Sequence, residues 1–205
     1  MNTGIFLMNL KQLLIYNISV FLIFLLFFLI SDYLYFQFTR EIALNFGIEA
    51  NLIYLPHGVR VLSFLVFGLS IIPGLILGQF TSGIFFKCQE SLDVYEILIF
   101  CDLDFNTLIV LFIGAVLTLI SLLLSYYLLK FNLVKNLNQV SIFKILNFIF
   151  LSSILNSLFS NLFFGLIYGW NLALNTALYI IGDAIGALAL FYLIKLFLKI
   201  KFYYR

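Results

Sequence analysis

Charge is scarce in this chain. Only 10% of its 205 residues are charged, while 64% are hydrophobic; soluble domains carry roughly 25% charged residues. A water-soluble fold could not bury so much apolar surface, so the sequence predicts that the protein resides in a lipid bilayer. The apolar runs are long and do not alternate with polar residues, which favours transmembrane helices over the strands of a barrel.

Other scarcities exclude classes of function. The chain has one histidine and two cysteines, too few for a zinc cluster, and it contains neither a nucleophile elbow nor a phosphate-binding loop. We therefore expect no cofactor, no metal and no enzymatic activity. Basic residues flank the apolar runs without forming a separate patch, so nucleic acid is not an expected partner.

The apolar runs predict a single all-α membrane domain, residues 1-205, with about six helices. Their expected bounds are 13-30, 53-69, 71-86, 108-129, 145-168 and 174-197. The second and third are short and interrupted by proline or glycine: Pro56, Gly58, Pro73, Gly74 and Gly78. Because proline removes a backbone donor and glycine eases bending, we expect these helices to kink or to start late. Irregular backbone in a membrane must lie against protein or a wet cavity, which places this pair at the functional centre.

The distribution of basic residues predicts the orientation in the membrane. With the N-terminus inside, only Arg40 and Lys87 fall outside, with Arg60 in the membrane. The cytoplasmic set is Lys11, Lys130, Lys135, Lys144, Lys195, Lys199, Lys201 and Arg205. We therefore predict a multi-pass protein of the bacterial inner membrane with both termini in the cytoplasm.

Two features belong to the loop that this orientation places outside. Its acidic residues Glu90, Asp93 and Glu96 form a solvated surface or attract a cation. Cys88 and Cys101 would face an oxidising compartment, where a disulfide between them could form.

Three ionisable side chains stand out within the apolar segments: His57, Arg60 and Asp183. His57 and Arg60 are three residues apart and share one face of a helix. A lone carboxylate in lipid is costly and requires a partner or a wet cavity, and Arg60 is the obvious cation for Asp183. The pair either fixes two helices together or forms a ligand or proton site.

Further polar and small residues accompany these three. Gly74 and Gly78, and likewise Gly182 and Gly186, have the spacing that lets helices approach closely; Gln79 flanks the first pair, and we expect the third and sixth helices to meet beside the site. One face of the fifth helix carries a polar stripe, which either packs through hydrogen bonds or lines a cavity. The stripe consists of Ser153, Asn156, Ser157, Ser160 and Asn161.

Three short motifs, in order, resemble a known family. They resemble motifs of the membrane-associated sensor (MASE-type) domains found before bacterial histidine kinases and diguanylate cyclases. The motifs are Leu-Pro-His-Gly-Val-Arg from Leu55, Ile-Pro-Gly-Leu-Ile-Leu-Gly-Gln from Ile72 and Gly-Asp-Ala-Ile-Gly from Gly182. The resemblance implies a membrane signal-receiving fold with an undefined ligand. It assigns family positions to Pro56, Gly58, Pro73, Gly74, Gly78, Gly182, Asp183 and Gly186. His57 and Arg60 depart from the family pattern, as does the count of six helices where about eight are expected.

These observations support a sensor-like protein that binds a small ligand or partner in its outer half. No output domain follows the basic tail, so we expect a separately encoded membrane or cytoplasmic signalling partner besides the bilayer itself. The predicted site comprises His57, Arg60, Gln79, Asn156, Asn161 and Asp183. The alternatives are a six-helix substrate-binding subunit or carrier of a transporter and, last, a membrane enzyme.

Overall fold

The computed structural model describes residues 9–38, 52–91, 103–130, 141–168 and 172–203. Within these ranges the chain forms α-helices and no strand, which confirms the predicted all-α class. The helices are α1 (Leu10–Phe38), α2 (Leu55–Phe67), α3 (Ile72–Ser91), α4 (Phe105–Leu128), α5 (Ile142–Tyr168) and α6 (Leu172–Tyr203), and a 3-10 turn (Gly68–Ile71) separates α2 from α3.

Five helical stretches of the described chain are long and apolar enough to cross a membrane. They are Leu10–Tyr35, Leu55–Cys88, Phe105–Leu128, Ile142–Ile167 and Leu174–Leu196. Because α2 and α3 fall within one of these stretches, the expected count of about six membrane helices is not confirmed. The reason is length: α2 has 13 residues and is about 20 Å long, less than the ~30 Å hydrocarbon core of a bilayer.

Several helices extend beyond the predicted apolar segments. The apolar pattern marks the part of a helix that contacts lipid, whereas backbone hydrogen bonds continue into polar flanks and carry α1 on to Phe38. The start of α4 has a local cause: the Asp104 carboxylate accepts a hydrogen bond from the Thr107 backbone N–H at 3.2 Å, which caps the helix. Hydrogen bonding from Thr107 also lowers the pKa of Asp104.

The break between α2 and α3 is built from three features. Gly68 has a φ of 66°, in the left-handed region that glycine adopts without strain. Pro73 lies in the first turn of α3, where the missing N–H has no partner to lose. Asn17 of α1 holds the turn, since its amide donates to the Ser70 carbonyl at 2.9 Å and accepts from the Gly74 N–H at 2.7 Å.

Contacts along the helices give their relative directions. The backbone N–H of Leu55 donates to Ser31 near the end of α1, whereas Ser70 contacts Asn17 near its beginning; α1 and α2 are therefore antiparallel. The chain then reverses, because Gly74 lies against Asn17 and Gly78 against Phe24, so α3 runs parallel to α1. We call the half of the bundle that contains the start of α2 the upper half and the half that contains the 3-10 turn the lower half.

Apolar side chains fill the lower half. Phe64 of α2 stacks on Phe148 of α5 with ring centroids 6.2 Å apart and meets Tyr126 of α4 edge-on. Leu122 and Leu190 are buried in the same cluster. Large exposed hydrophobic residues cover the outside of every helix, as expected where lipid is the solvent.

Some of the predicted features lie outside the described residues. These are Arg40, Asp93, Glu96, Cys101, Lys135 and Arg205. Cys88, at the upper end of α3, is disulfide-bonded.

Candidate ligand-binding site

His57, Arg60 and Asp183 meet where α2 packs on α6. All three side chains are buried, with exposed fractions of 1%, 3% and 1%. Arg60 Nη2 lies 3.0 Å from His57 Nδ1 and 3.8 Å from Asp183 Oδ1. The second distance is too long for a hydrogen bond, but in a buried site it gives a substantial Coulomb attraction.

The neighbours of His57 fix its hydrogen bonding. Its Nε2 lies 3.2 Å from the hydroxyls of both Ser152 and Ser153, and both hydroxyls donate to the Ile149 carbonyl. Nε2 must therefore carry the proton and donate to the two serines. In neutral His57, Nδ1 is then an acceptor, which suits Arg60 because a guanidinium can only donate. His57 thus holds the guanidinium of Arg60 beside Asp183.

Asp183 is bound on its other side by the polar stripe of α5. The amide nitrogen of Asn156 donates to Asp183 Oδ2 at 2.6 Å. His57 Nδ1 lies 3.4 Å from the same oxygen, but in neutral His57 it has no proton to donate. A hydrogen bond from an amide to an ionised carboxylate is charge-assisted and stronger than a neutral one. Through the hydrogen bond from Asn156 and the attraction to Arg60 at 3.8 Å, the carboxylate connects α2, α5 and α6.

Arg60 extends from α2 toward α3. Its Nη1 donates to Gln79 Oε1 at 3.4 Å, and its guanidinium carbon lies 5.6 Å from the ring centre of Tyr54, within cation–π range. Arg60 therefore connects α2 to α3. A space remains between the helices around its guanidinium.

A cavity of about 180 Å³ occupies that space in the upper half of the bundle. Five of the six predicted site residues line it: Arg60, Gln79, Asn156, Asn161 and Asp183. The sixth, His57, is not a lining residue but contacts two that are, Arg60 and Asp183. The volume of the cavity is sufficient for several water molecules. The cavity can hold a small polar molecule.

Three oxygen atoms of the site have no hydrogen-bond donor in the described part of the chain: Asn156 Oδ1, Asn161 Oδ1 and Asp183 Oδ1. The amide orientations are determined chemically, because Asn156 donates to a carboxylate and Asn161 donates to the Ser157 carbonyl at 2.8 Å. A buried acceptor without a donor costs about 1–3 kcal/mol. Asp183 Oδ1 retains the attraction of Arg60 at 3.8 Å, and the two asparagines line the cavity, where water or a bound molecule can supply donors.

Glycine determines how closely α2 approaches α6. A Cβ atom on Gly58 would lie 2.9 Å from Ala187 Cα, and one on Gly186 would collide with the Tyr54 carbonyl. The Tyr54 backbone N–H donates to the Gly182 carbonyl at 3.0 Å. This close approach brings His57 and Arg60 within reach of Asp183.

One sequence expectation about the glycines is wrong. Gly74 and Gly78 pack on Asn17 and Phe24 of α1, and Gly186 packs on the start of α2, so the glycines do not bring the third and sixth helices together. The cavity separates those helices, and Arg60 spans it between Gln79 and Asp183.

Sequence reasoning also missed contributors to the site. Tyr54, Ser152 and Ser31 are part of it, the last through a 2.9 Å hydrogen bond from the Leu55 N–H. Tyr54 has the ordinary character of an interfacial aromatic residue, and Ser31 that of the polar end of an apolar run. Ser152 directly precedes the polar stripe, which was the one available signal.

No family model, curated protein or solved structure matches this chain.

Proposed function

We propose that the protein is a membrane receptor that binds a small polar ligand in the upper half of its bundle and signals through helix packing to a separate partner. The observation that carries this is the cavity lined by Arg60, Asn156, Asn161 and Asp183. These residues come from three helices, so a ligand that bonds to them changes how α2, α5 and α6 pack. Such differential contacts are what a signalling transition needs.

We also propose that the protein is related to the MASE-type sensor domains. The support for this relation is that the first and last motifs share one interface, where Gly58 lies against Ala187 and the Tyr54 N–H bonds to Gly182. The site residue Arg60 projects from the first motif and Asp183 from the last. Motifs that converge in space are better support than motifs that merely follow one another in sequence.

The proposed orientation places the upper half outside a bacterial inner membrane and both termini in the cytoplasm. α2 together with the 3-10 turn is about 27 Å long, close to the ~30 Å hydrocarbon core. We therefore propose that α2 and α3 each cross, which makes six crossings. Phe64, Phe148 and Leu122 fill the lower half, which favours binding from outside over transport.

The orientation is tested by reporter fusions. Fusions after Asn136 and after Arg205 are expected to report a cytoplasmic location, and a fusion after Asp93 an external one, because eight of the basic residues then lie inside. An external signal after Asn136 would rule out six crossings, since α4 would then end on the outer side.

The binding function is tested by filling the cavity. Ser160 lines it, and Ser160→Phe adds a ring where the ligand would lie. Leu158→Phe, on the lipid-exposed face of the same helix, is the matched control. Native mass spectrometry of gently extracted protein is expected to show a bound small molecule on the wild type and on Leu158→Phe, and none on Ser160→Phe.

Two outcomes would contradict the receptor. If no molecule accompanies the wild type while Ser160→Phe raises the midpoint of thermal unfolding, the cavity is only a packing defect. If the bound molecule accumulates inside proteoliposomes, the protein is a carrier, the alternative that the sequence left open.

A further inference from the structure

The three acceptor oxygens define the chemistry of a complementary ligand. Asn156 Oδ1, Asn161 Oδ1 and Asp183 Oδ1 lack donors within the described residues, and a primary ammonium group has three N–H donors. Arg60, whose Nη2 lies 3.8 Å from Asp183 Oδ1, has in its Nε a buried donor to which no acceptor in the described chain is bonded. A carboxylate is the acceptor that a guanidinium prefers.

The charges of the cavity wall set a second condition. The lining residues of the charged types are two acidic and two basic: Asp32, Asp183, Arg60 and Lys87. A ligand with net charge would leave an uncompensated charge within a bundle surrounded by lipid, which is costly. A ligand with one positive and one negative group preserves the balance.

From these observations, and resting on the proposed receptor function, we propose that the ligand is a small zwitterion of the amino-acid type. Its ammonium group faces Asp183, Asn156 and Asn161, and its carboxylate faces Arg60. The cavity of about 180 Å³ has room for a small amino acid. Gln79, bonded to Arg60 at 3.4 Å, holds the guanidinium on the carboxylate side.

The probes are the twenty protein amino acids, added singly to the full chain in lipid nanodiscs. A ligand that binds only the folded state raises the midpoint of thermal unfolding, by about 5 °C at a hundredfold excess over Kd. We expect this rise for at least one small amino acid. If none raises the midpoint, the zwitterion is wrong; the mass-spectrometric result still decides the receptor function separately.

Matched analogues test each end of the ligand. For the amino acid that binds, the amine without the carboxylate and the acid without the ammonium are each expected to bind at least tenfold more weakly. The N-trimethyl derivative keeps the positive charge but has no N–H donor, and it is expected to lose binding as well. An amine that binds as tightly as the amino acid would overturn the proposal and leave a receptor for cations.

Two substitutions on α5 test whether the ammonium group of the ligand binds to this helix. Asn161→Leu removes one acceptor and is expected to weaken binding of the amino acid about tenfold, the ordinary cost of an unmade hydrogen bond. Asn147→Leu makes the same change on the exposed face of α5 and is expected to leave affinity unchanged. Equal affinity of Asn161→Leu and the wild type would show that water or packing, not a ligand, satisfies Asn161.

Discussion

Asp183→Asn is expected to destabilise the protein by about 3 kcal/mol, because breaking a buried ion pair leaves the remaining charge uncompensated. Arg60 would then keep only His57 and Gln79 as hydrogen-bond partners among the described residues, neither of which carries a negative charge. Its guanidinium cannot lose a proton. The cationic side chain would remain charged within the bundle.

Removing the other charge, with Arg60→Gln, is expected to lower the free energy of unfolding by less than Asp183→Asn does. Asp183 would retain the hydrogen bond from Asn156 at 2.6 Å, and a carboxylate without its cation can take up a proton and become neutral. The double variant removes both charges and should recover part of the loss. The fraction of folded protein is measured in nanodiscs as a function of denaturant for the wild type, both single variants and the double variant. The resulting double-mutant cycle gives the coupling free energy between Asp183 and Arg60.

The control for these variants is Lys144→Gln, on an exposed position at the start of α5. It removes a charge from the surface and is expected to change stability by no more than about 0.5 kcal/mol. Additive losses in the cycle would show that Asp183 and Arg60 act independently at 3.8 Å. Asn156 would then be the partner that keeps Asp183 in the bundle.

The sequence could identify these charges because their cost in lipid does not depend on the fold. A carboxylate between Gly182 and Ala184 is expensive wherever the helix packs, so a partner or a cavity follows from physical chemistry alone. The helical period likewise placed Asn156 and Asn161 on one face of α5. Sequence could not say whether this face packs or lines a cavity; in the structure Asn156 does both, since it bonds to Asp183 and borders the cavity.

Contacts between distant segments could not be predicted from local pattern. Asn17 holds a turn more than fifty residues away, and nothing near it in the sequence indicates that role. The proline and glycines of the second and third segments predicted helices that kink or start late, whereas the break in the structure is the 3-10 turn between α2 and α3, which begins at Gly68. Whether α2 and α3 each cross the membrane depends on their lengths and on the membrane around them, which local pattern does not determine.

The glycines of the last motif show the same limit. The spacing of Gly182 and Gly186 predicted close packing, and the structure shows close packing. The partner was wrong, because spacing on one helix contains no information about which helix approaches it. Gly186 packs on Tyr54, a residue more than a hundred positions earlier in the chain, and only the folded bundle brings the two together.

Gly186→Ala is therefore expected to be about as damaging as the loss of the buried charge, near 3 kcal/mol. The new Cβ would overlap the carbonyl oxygen and carbon of Tyr54, and backbone atoms cannot rotate away as a side chain can. The start of α2 must then move from α6, which strains the hydrogen bond from Tyr54 to Gly182. It also carries His57 and Arg60 away from Asp183, so ligand binding should weaken together with stability.

Gly83→Ala is the matched control on α3. Its Cβ would meet only the terminal Cδ2 of Leu111, at 3.1 Å, and a leucine side chain can yield by a small rotation, so the expected cost is below about 1 kcal/mol. Thermal unfolding of both variants in nanodiscs gives the comparison. Equal stability of the two would mean that α2 does not approach α6 as closely as the Tyr54–Gly186 contact requires, and Arg60 would then need another route to Asp183.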